Sequence, residues 1–310
     1  MRVGVLDLGT NSTRLLVAEV DDGRVTEVER DTRVTRLGEG VETTGRLSDA
    51  AIARVTDAVA GYRDALDRHG AERTVALATS AMRDAENGAL LTDALSERYD
   101  VHPVTISGEE EARLTFAGAT AGRTADGSVL VIDIGGGSTE YVAGRPGSDP
   151  DFHTSTRMGS VRHTERHLHD DPPTPEQLSA LADDVHRVLA AELPEPVRAQ
   201  VERAIAVAGT ATTLAAIDLD LDPYDSDGVH GHVLALATCE RIHAQLAALP
   251  IGERRGVTGL HPDRAPTIVA GIAILGQSLR ALGLDEVEVS DADILHGAAL
   301  AAAQDRFPTG

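Results

Sequence analysis

The 310-residue chain contains no lysine and no tryptophan, has one cysteine, Cys239, and draws only 2% of its residues from the aromatics. Without lysine there is no Walker-type P-loop, no Schiff-base lysine and no serine/lysine hydrolase. One cysteine rules out an intramolecular disulfide and any cysteine-only metal site, and leaves Cys239 as a small buried hydrophobe. No apolar run approaches membrane-spanning length, and the N-terminus enters a strand directly. Neither signal peptide nor membrane anchor is therefore expected, and the protein is placed in the cytoplasm. All basic charge other than histidine is arginine: 28 basic residues face 50 acidic ones, for a formal net charge of −22. Such a balance argues against a nucleic-acid duplex as partner. It fits a salt-adapted cytoplasm, where an acidic surface keeps protein soluble and a Debye length of roughly 3 Å at ~1 M salt leaves an anionic substrate almost unrepelled.

Against these absences stands the segment VLVIDIGGGSTE, Val129 to Glu140. An apolar, largely β-branched run meets an aspartate, then three glycines, then Ser138, Thr139 and Glu140, the pattern of a buried strand ending in a tight polar turn. Gly135, Gly136 and Gly137 let backbone N–H groups approach a ligand closely, Ser138 and Thr139 add hydroxyl donors, and the carboxylates of Asp133 and Glu140 can hold a cation. Phosphate with a divalent metal fits that set; a glycine-rich hairpin without a ligand is the plain alternative. The segment Val3 to Val20 repeats the pattern, aligning Asp7 with Asp133, Gly9 with Gly135 and Ser12 with Ser138. Asp133 follows Asp7 by 126 residues, too long for a solenoid repeat and about the length of a domain. Two domains, each offering a phosphate turn to the cleft between them, are expected.

The first half reads as a three-strand meander to about Leu37, then a helix from Ser48 or Asp49 to His69 ended by Gly70. A strand at 74–79, a helix at 87–99, a strand at 104–107 and a helix at 109–121 follow. That order is the ribonuclease-H-like unit. A glycine-rich flexible joint at 121–128 leads into the second copy, with strands at 140–144, 154–158, 204–208 and 287–290 and a final helix from Asp293. Boundaries of 1–125 and 126–310 result. Gly209 and Thr210 open another small, hydroxylated turn into a helix, either a further phosphate site or an ordinary helix start.

With both turns placed, the chain resembles the exopolyphosphatase and guanosine pentaphosphate phosphohydrolase family, within the superfamily of acetate and sugar kinases, heat-shock ATPases and actin. The resemblance rests on DLGTNSTRLL from Asp7, RLGEG from Arg36, ATSAMRDAEN from Ala78, ISGEEEARL from Ile106, DIGGGSTE from Asp133, MGSVRHTE from Met158, AGTATTLAA from Ala208 and HPDRAP from His261. It covers nearly the whole chain, and it implies an α/β fold of two ribonuclease-H-like (actin-like ATPase) domains facing an interdomain cleft. One departure stands out: the family often has an arginine two residues before a glycine near the C-terminus, where this chain has Leu295-His296-Gly297. That puts a phosphate contact from this segment in doubt.

In ISGEEEAR the Ser107 to Glu110 spacing is a capping box, which leaves Glu111 over. The resemblance assigns Glu111 the general base that activates water; helix-dipole stabilisation is the plain alternative. Arg83 suits charge stabilisation on a transferring phosphoryl group, with a surface ion pair to Asp84 or Glu86 as its alternative. Asp133 and Glu140, with Asp7 as a third, are the candidates for holding Mg2+, and a structural hydrogen bond is the alternative for Glu140. Backbone N–H groups of Gly135, Gly136, Gly137 and Ser138, and of Asn11, Ser12 and Thr13, are expected to take terminal phosphate oxygens. Arg14 can instead be a strand residue facing solvent. His163 and His167 lack an HExxH pattern and sit beside Arg162 and Arg166, so a solvated helix face is expected there.

The expected activity is exopolyphosphatase, by in-line attack of water on the terminal phosphorus of polyphosphate. A guanosine pentaphosphate 5′-phosphohydrolase is second, and a phosphotransferase or nucleotide-binding switch third. Domains of this kind often pair, so a homodimer is possible; no membrane partner is expected.

Overall fold

The structure is a computed structural model and describes residues 1–123 and 127–307. The expected joint at 121–128 therefore lies partly outside the described residues. The chain forms two compact units, Met1–Thr124 with Asp293–Gly310, and Ala125–Ala292. The expected 126–310 domain is thus corrected at its end, because the last helix belongs to the first unit.

The first unit is built from β1 (Arg2–Leu8), β2 (Ser12–Asp21), β3 (Arg24–Val34), α1 (Val41–Thr44), α2 (Asp49–His69), β4 (Arg73–Ala78), α3 (Ser80–Asp84), α4 (Gly88–Tyr99), β5 (Pro103–Thr105) and α5 (Gly108–Thr120). Its sheet runs β3-β2-β1-β4-β5, with the meander antiparallel and β4 and β5 parallel to β1. Side chains alternate along β1, so its two faces feed two cores. Leu6 and Leu8 pack with Val55, Val59 and Tyr62 of α2 and Leu91 and Leu95 of α4. Val3 and Val5 pack instead with Ile294, Leu295, Ala298 and Ala302. Each such fully buried Val, Leu or Ile stabilises the fold by roughly 1.5–3 kcal/mol.

The second unit holds β6 (Val129–Ile134), β7 (Thr139–Gly144), β8 (Phe152–Thr156), α6 (Ser160–His167), α7 (Pro175–Glu192), α8 (Glu195–Arg198), β9 (Ala204–Val207), α9 (Ala208–Asp218), α10 (Ser226–Val229), β10 (Val233–Ala235), α11 (Leu236–Ala248), α12 (Ile251–Arg254), α13 (Ile268–Leu282) and β11 (Glu286–Val289). Its sheet order, β10-β11-β9-β6-β7-β8, repeats that of the first unit and adds β10 antiparallel to β11 as an edge strand. No helix among the described residues is long and apolar enough to cross a membrane.

The chain then closes with α14 (Ile294–Ala303), which packs against α5. The approach is backbone to backbone: a Cβ at Gly297 would lie 1.8 Å from the Leu114 carbonyl oxygen, and one at Gly118 only 1.9 Å from that of Asp293. Two glycines, one on each helix, admit the contact.

Candidate active site

In the first unit the alternation that sends Val3 and Val5 toward α14 puts Asp7 on the same face, at the end of β1. Arg14 is its partner across the β1–β2 hairpin, so the two side chains share that face. Arg14 donates to Asp7 Oδ2 through Nε at 2.9 Å and Nη2 at 2.6 Å, and through Nη1 it pairs with Asp293, the N-cap of α14. The expectation of a solvent-facing Arg14 is corrected, since two carboxylates across the face hold it. One guanidinium serves unequal claimants. Burial works against ionisation of Asp293, but Arg14, Arg30 and His296 outweigh it and bring its carboxyl down to about 2. For Asp7, burial prevails over Arg14, and its pKa is raised. Its Oδ1 is buried without a hydrogen-bond partner.

Glu111 arises from the capping of α5. Ser107 Oγ accepts from the Glu110 N–H at 3.1 Å while Glu110 Oε2 accepts from the Ser107 N–H at 2.9 Å. That box engages Glu110 and leaves the next side chain to turn inward. Glu111 is buried, and Arg83 of α3 donates to its Oε2 at 2.6 Å and to the Ile106 carbonyl at 3.0 Å. The alternative pairing of Arg83 with Asp84 or Glu86 gives way to this contact. Burial raises the Glu111 pKa against the pull of Arg83, and the nearby Asp7 charge adds to the rise. The first unit thus gathers carboxylates and guanidiniums on one sheet face, with Glu111 poised to accept a proton.

The two turns are built alike. Gly9 N–H donates to Ser12 O at 3.0 Å, and Gly135 N–H donates to Ser138 O at 3.0 Å. In the first turn the carbonyls of Thr10 and Asn11 are taken by the N–H groups of Gly38 and Arg36, both at 2.8 Å. A planar trans peptide then directs the N–H groups of Asn11 and Ser12 the opposite way. The rest of Thr13 turns inward: its side chain is fully buried, with Oγ1 2.8 Å from that of Thr35, and its carbonyl accepts from the Tyr62 hydroxyl at 2.8 Å. Thr139 is likewise fully buried, its hydroxyl donating to the Met158 carbonyl at 2.8 Å. Alternation along the strands turns both hydroxyls into the core.

Beside the second turn, Asp133 and Glu140 are cross-strand partners, so both buried carboxylates lie on one face. Glu140 Oε1 accepts from Ser155 Oγ at 2.7 Å. Hard carboxylate oxygens side by side suit Mg2+. Asp7 offers only Oδ1, its other oxygen being held by Arg14.

Other expected contacts divide. Thr210 is buried in the first turn of α9, and a Cβ on Gly209 would fall 1.3 Å from Arg264 Nη1. Gly209 therefore makes room for the arginine of HPDRAP, a cation the motif carried but sequence reasoning did not single out. His296 Nδ1 accepts from the Asp293 N–H at 3.4 Å and its Nε2 lies 3.1 Å from Glu27, so this departure from the family pattern does structural duty. His163 is fully buried, not solvated, and burial pushes its imidazole down to about 4. It shares Asp184 of α7 with His167, at 3.6 and 2.9 Å, a constellation with metal-ligand spacing. Arg166 and Arg187 already neutralise that carboxylate.

Two α/β units in one chain, each with a ribonuclease-H-like sheet and a strand, glycine turn, strand unit, define the fold class. Within that class, residues 16–304 match the Ppx/GppA phosphatase family, and the chain belongs to it, a family of phosphoanhydride hydrolases. It is 37% identical to exopolyphosphatase 2 of Mycobacterium tuberculosis over 97% of this chain and 98% of that protein. The Aquifex aeolicus Ppx/GppA family member superposes with a TM-score of 0.82 at 30% identity, covering 99% of both chains. An exopolyphosphatase from Cytophaga hutchinsonii superposes at 0.89 with 27% identity over the full length of both.

Proposed function

We propose that the protein is an exopolyphosphatase that removes the terminal phosphate of linear polyphosphate. The observation that carries this reading is Glu111: buried, relieved of capping by Glu110, and gripped at 2.6 Å by Arg83. The names of its relatives, exopolyphosphatases among them, support the substrate class.

Water attacks the terminal phosphorus in line, its proton passes to Glu111, and the bridging P–O bond breaks with the electron pair leaving on the shortened chain. Arg83 stabilises charge on the transferring phosphoryl oxygens. The N–H groups of Gly136, Gly137 and Ser138, and of Asn11 and Ser12, donate to further oxygens. A divalent metal held by Asp133 and Glu140 would neutralise phosphate charge. Fixed donors of this kind supply most of the acceleration, because they need no reorganisation as charge develops.

Phosphate release measured in parallel from long polyphosphate, tripolyphosphate and guanosine pentaphosphate tests the reading. The expected result is the highest kcat/KM on polyphosphate. Preference for guanosine pentaphosphate would shift the assignment to the 5′-phosphohydrolase of the same family, and transfer of phosphate to ADP would displace both.

A further inference from the structure

Three successive carbonyls of the glycine turn are captured by one short piece of chain. Ser160 N–H donates to Gly135 O at 2.9 Å, and Val161 and Arg162 N–H donate to Gly136 O at 2.9 and 3.1 Å. Arg162 then reaches past its own backbone, and its Nε–H donates to Gly137 O at 2.8 Å. The backbone donors are first-turn N–H groups of α6, which a helix leaves without internal partners. A helix N-terminus that usually seeks an anion is filled here by carbonyl oxygens.

The planarity of the peptide makes this consequential. Each N–H points opposite to the C=O of its own peptide, so fixing the oxygens of residues 135, 136 and 137 on the α6 side turns the N–H groups of Gly136, Gly137 and Ser138 to the other. Those three N–H groups meet no acceptor of the protein among the described residues, although all three residues are buried. Consecutive buried donors without partners are costly unless a ligand takes them. Arg162 has a second effect. A guanidinium does not deprotonate, and its bond to Gly137 O draws electron density along the Gly137–Ser138 peptide and strengthens the Ser138 N–H as a donor.

We propose that the segment Gly159–Arg162 holds the glycine turn in its anion-accepting form, and that Arg162 is a positioning residue for turnover, acting through the Gly137–Ser138 peptide without touching the substrate. Gly159 completes the device: a Cβ there would lie 2.3 Å from Gly136 O, so only glycine lets α6 come this close. The proposal rests on the phosphohydrolase reading above and adds to it what orients the turn.

The test compares the parent with Arg162→Met, Arg162→Lys and Gly159→Ala, reading kcat and KM on polyphosphate and, separately, calorimetric binding of inorganic phosphate. Arg162→Met is expected to lower kcat by about 10- to 100-fold, the scale of losing one oriented donor, and to weaken phosphate binding in step. Arg162→Lys recovers the greater part, because an ammonium can still donate to Gly137 O. Gly159→Ala, which displaces the turn while keeping the guanidinium, reproduces the loss and decides the matter should Arg162→Met fail to fold. Folded variants with the parent's kcat and phosphate affinity overturn the proposal, as does an Arg162→Met that melts earlier yet turns over normally per folded molecule. A parent that releases no phosphate sinks the hydrolase reading instead, and the calorimetric comparison still decides the role of α6.

Discussion

At the end of β1 the carboxylate of Asp7 has Arg14 as its cross-strand partner; at the end of β6 that of Asp133 has Glu140. The hairpins are otherwise alike, down to the 3.0 Å bond that closes each turn. The first pair is charge-compensated from within, and its arginine is tied further to Asp293. The second pair sets two carboxylates side by side in a buried position, and Ser155 Oγ donates to Glu140 Oε1 at 2.7 Å. Backing differs as well: a loop takes the carbonyls of Thr10 and Asn11, whereas a helix start and a guanidinium take those of the glycines. One architecture has been used once with an arginine facing its aspartate and once with a second carboxylate there.

The sharpest break in the comparison comes from Glu111, the proposed proton acceptor of the first unit. Glu111→Gln should cut kcat by ~10²–10⁴-fold with the fold intact, as judged by far-UV circular dichroism. Because its pKa is raised, the acidic limb of the parent's kcat/KM profile should lie above the 4.5 of an ordinary glutamate.

Next in size are pH windows that differ between the units. Asp293 has its pKa brought from 3.8 to about 2, so the stability it confers is complete above pH ~4 and is lost as pH falls through about 2. His163 is lowered from 6.5 to about 4, so the native state favours its neutral form and loses stability as pH falls from ~6.5 to 4. The losses amount to roughly 2 kcal/mol for Asp293 and roughly 3 for His163. Denaturant melts across pH should show Asp293→Asn flattening the lower window and His163→Leu the upper. A slope unchanged in either variant removes that assignment.

Smaller shifts are expected in metal dependence. Glu140→Gln should raise the Mg2+ concentration for half-maximal activity roughly 10-fold or more, and Asp7→Asn less, since Arg14 already holds one Asp7 oxygen. Equal shifts would mean that the two turns do not differ as their charges indicate. The mildest effect belongs to the surface. With a net charge of −22, dialysis from ~1 M to ~0.05 M salt should lower Tm by several degrees through self-repulsion.

Much of this was legible in local sequence. The two aspartate–glycine turns, the helix capped by Ser48 and ended by Gly70, and the capping box that frees Glu111 are short-range patterns with short-range causes. What escaped was non-local. Asp293 lies 279 residues from Arg14, and no spacing rule joins them. The polar run SVRHTERH suggested a wet helix, but tertiary packing buries His163 and aims Arg162 at the turn. The three-residue β10 is too short for periodicity to reveal. A clue to the place of α14 did exist in Gly297, which needs a matching small residue on a facing helix, and Gly118 supplies it.

That return of α14 has a consequence for synthesis. The helix that covers Val3, Val5 and Leu77 is made only after the whole second unit. While the ribosome is still extending the chain, one side of the first sheet has only α5 for shelter. The N-terminal half therefore cannot finish folding in the order it emerges, and a message truncated before residue 293 would yield a product with a bare, sticky β-surface for chaperones to hold.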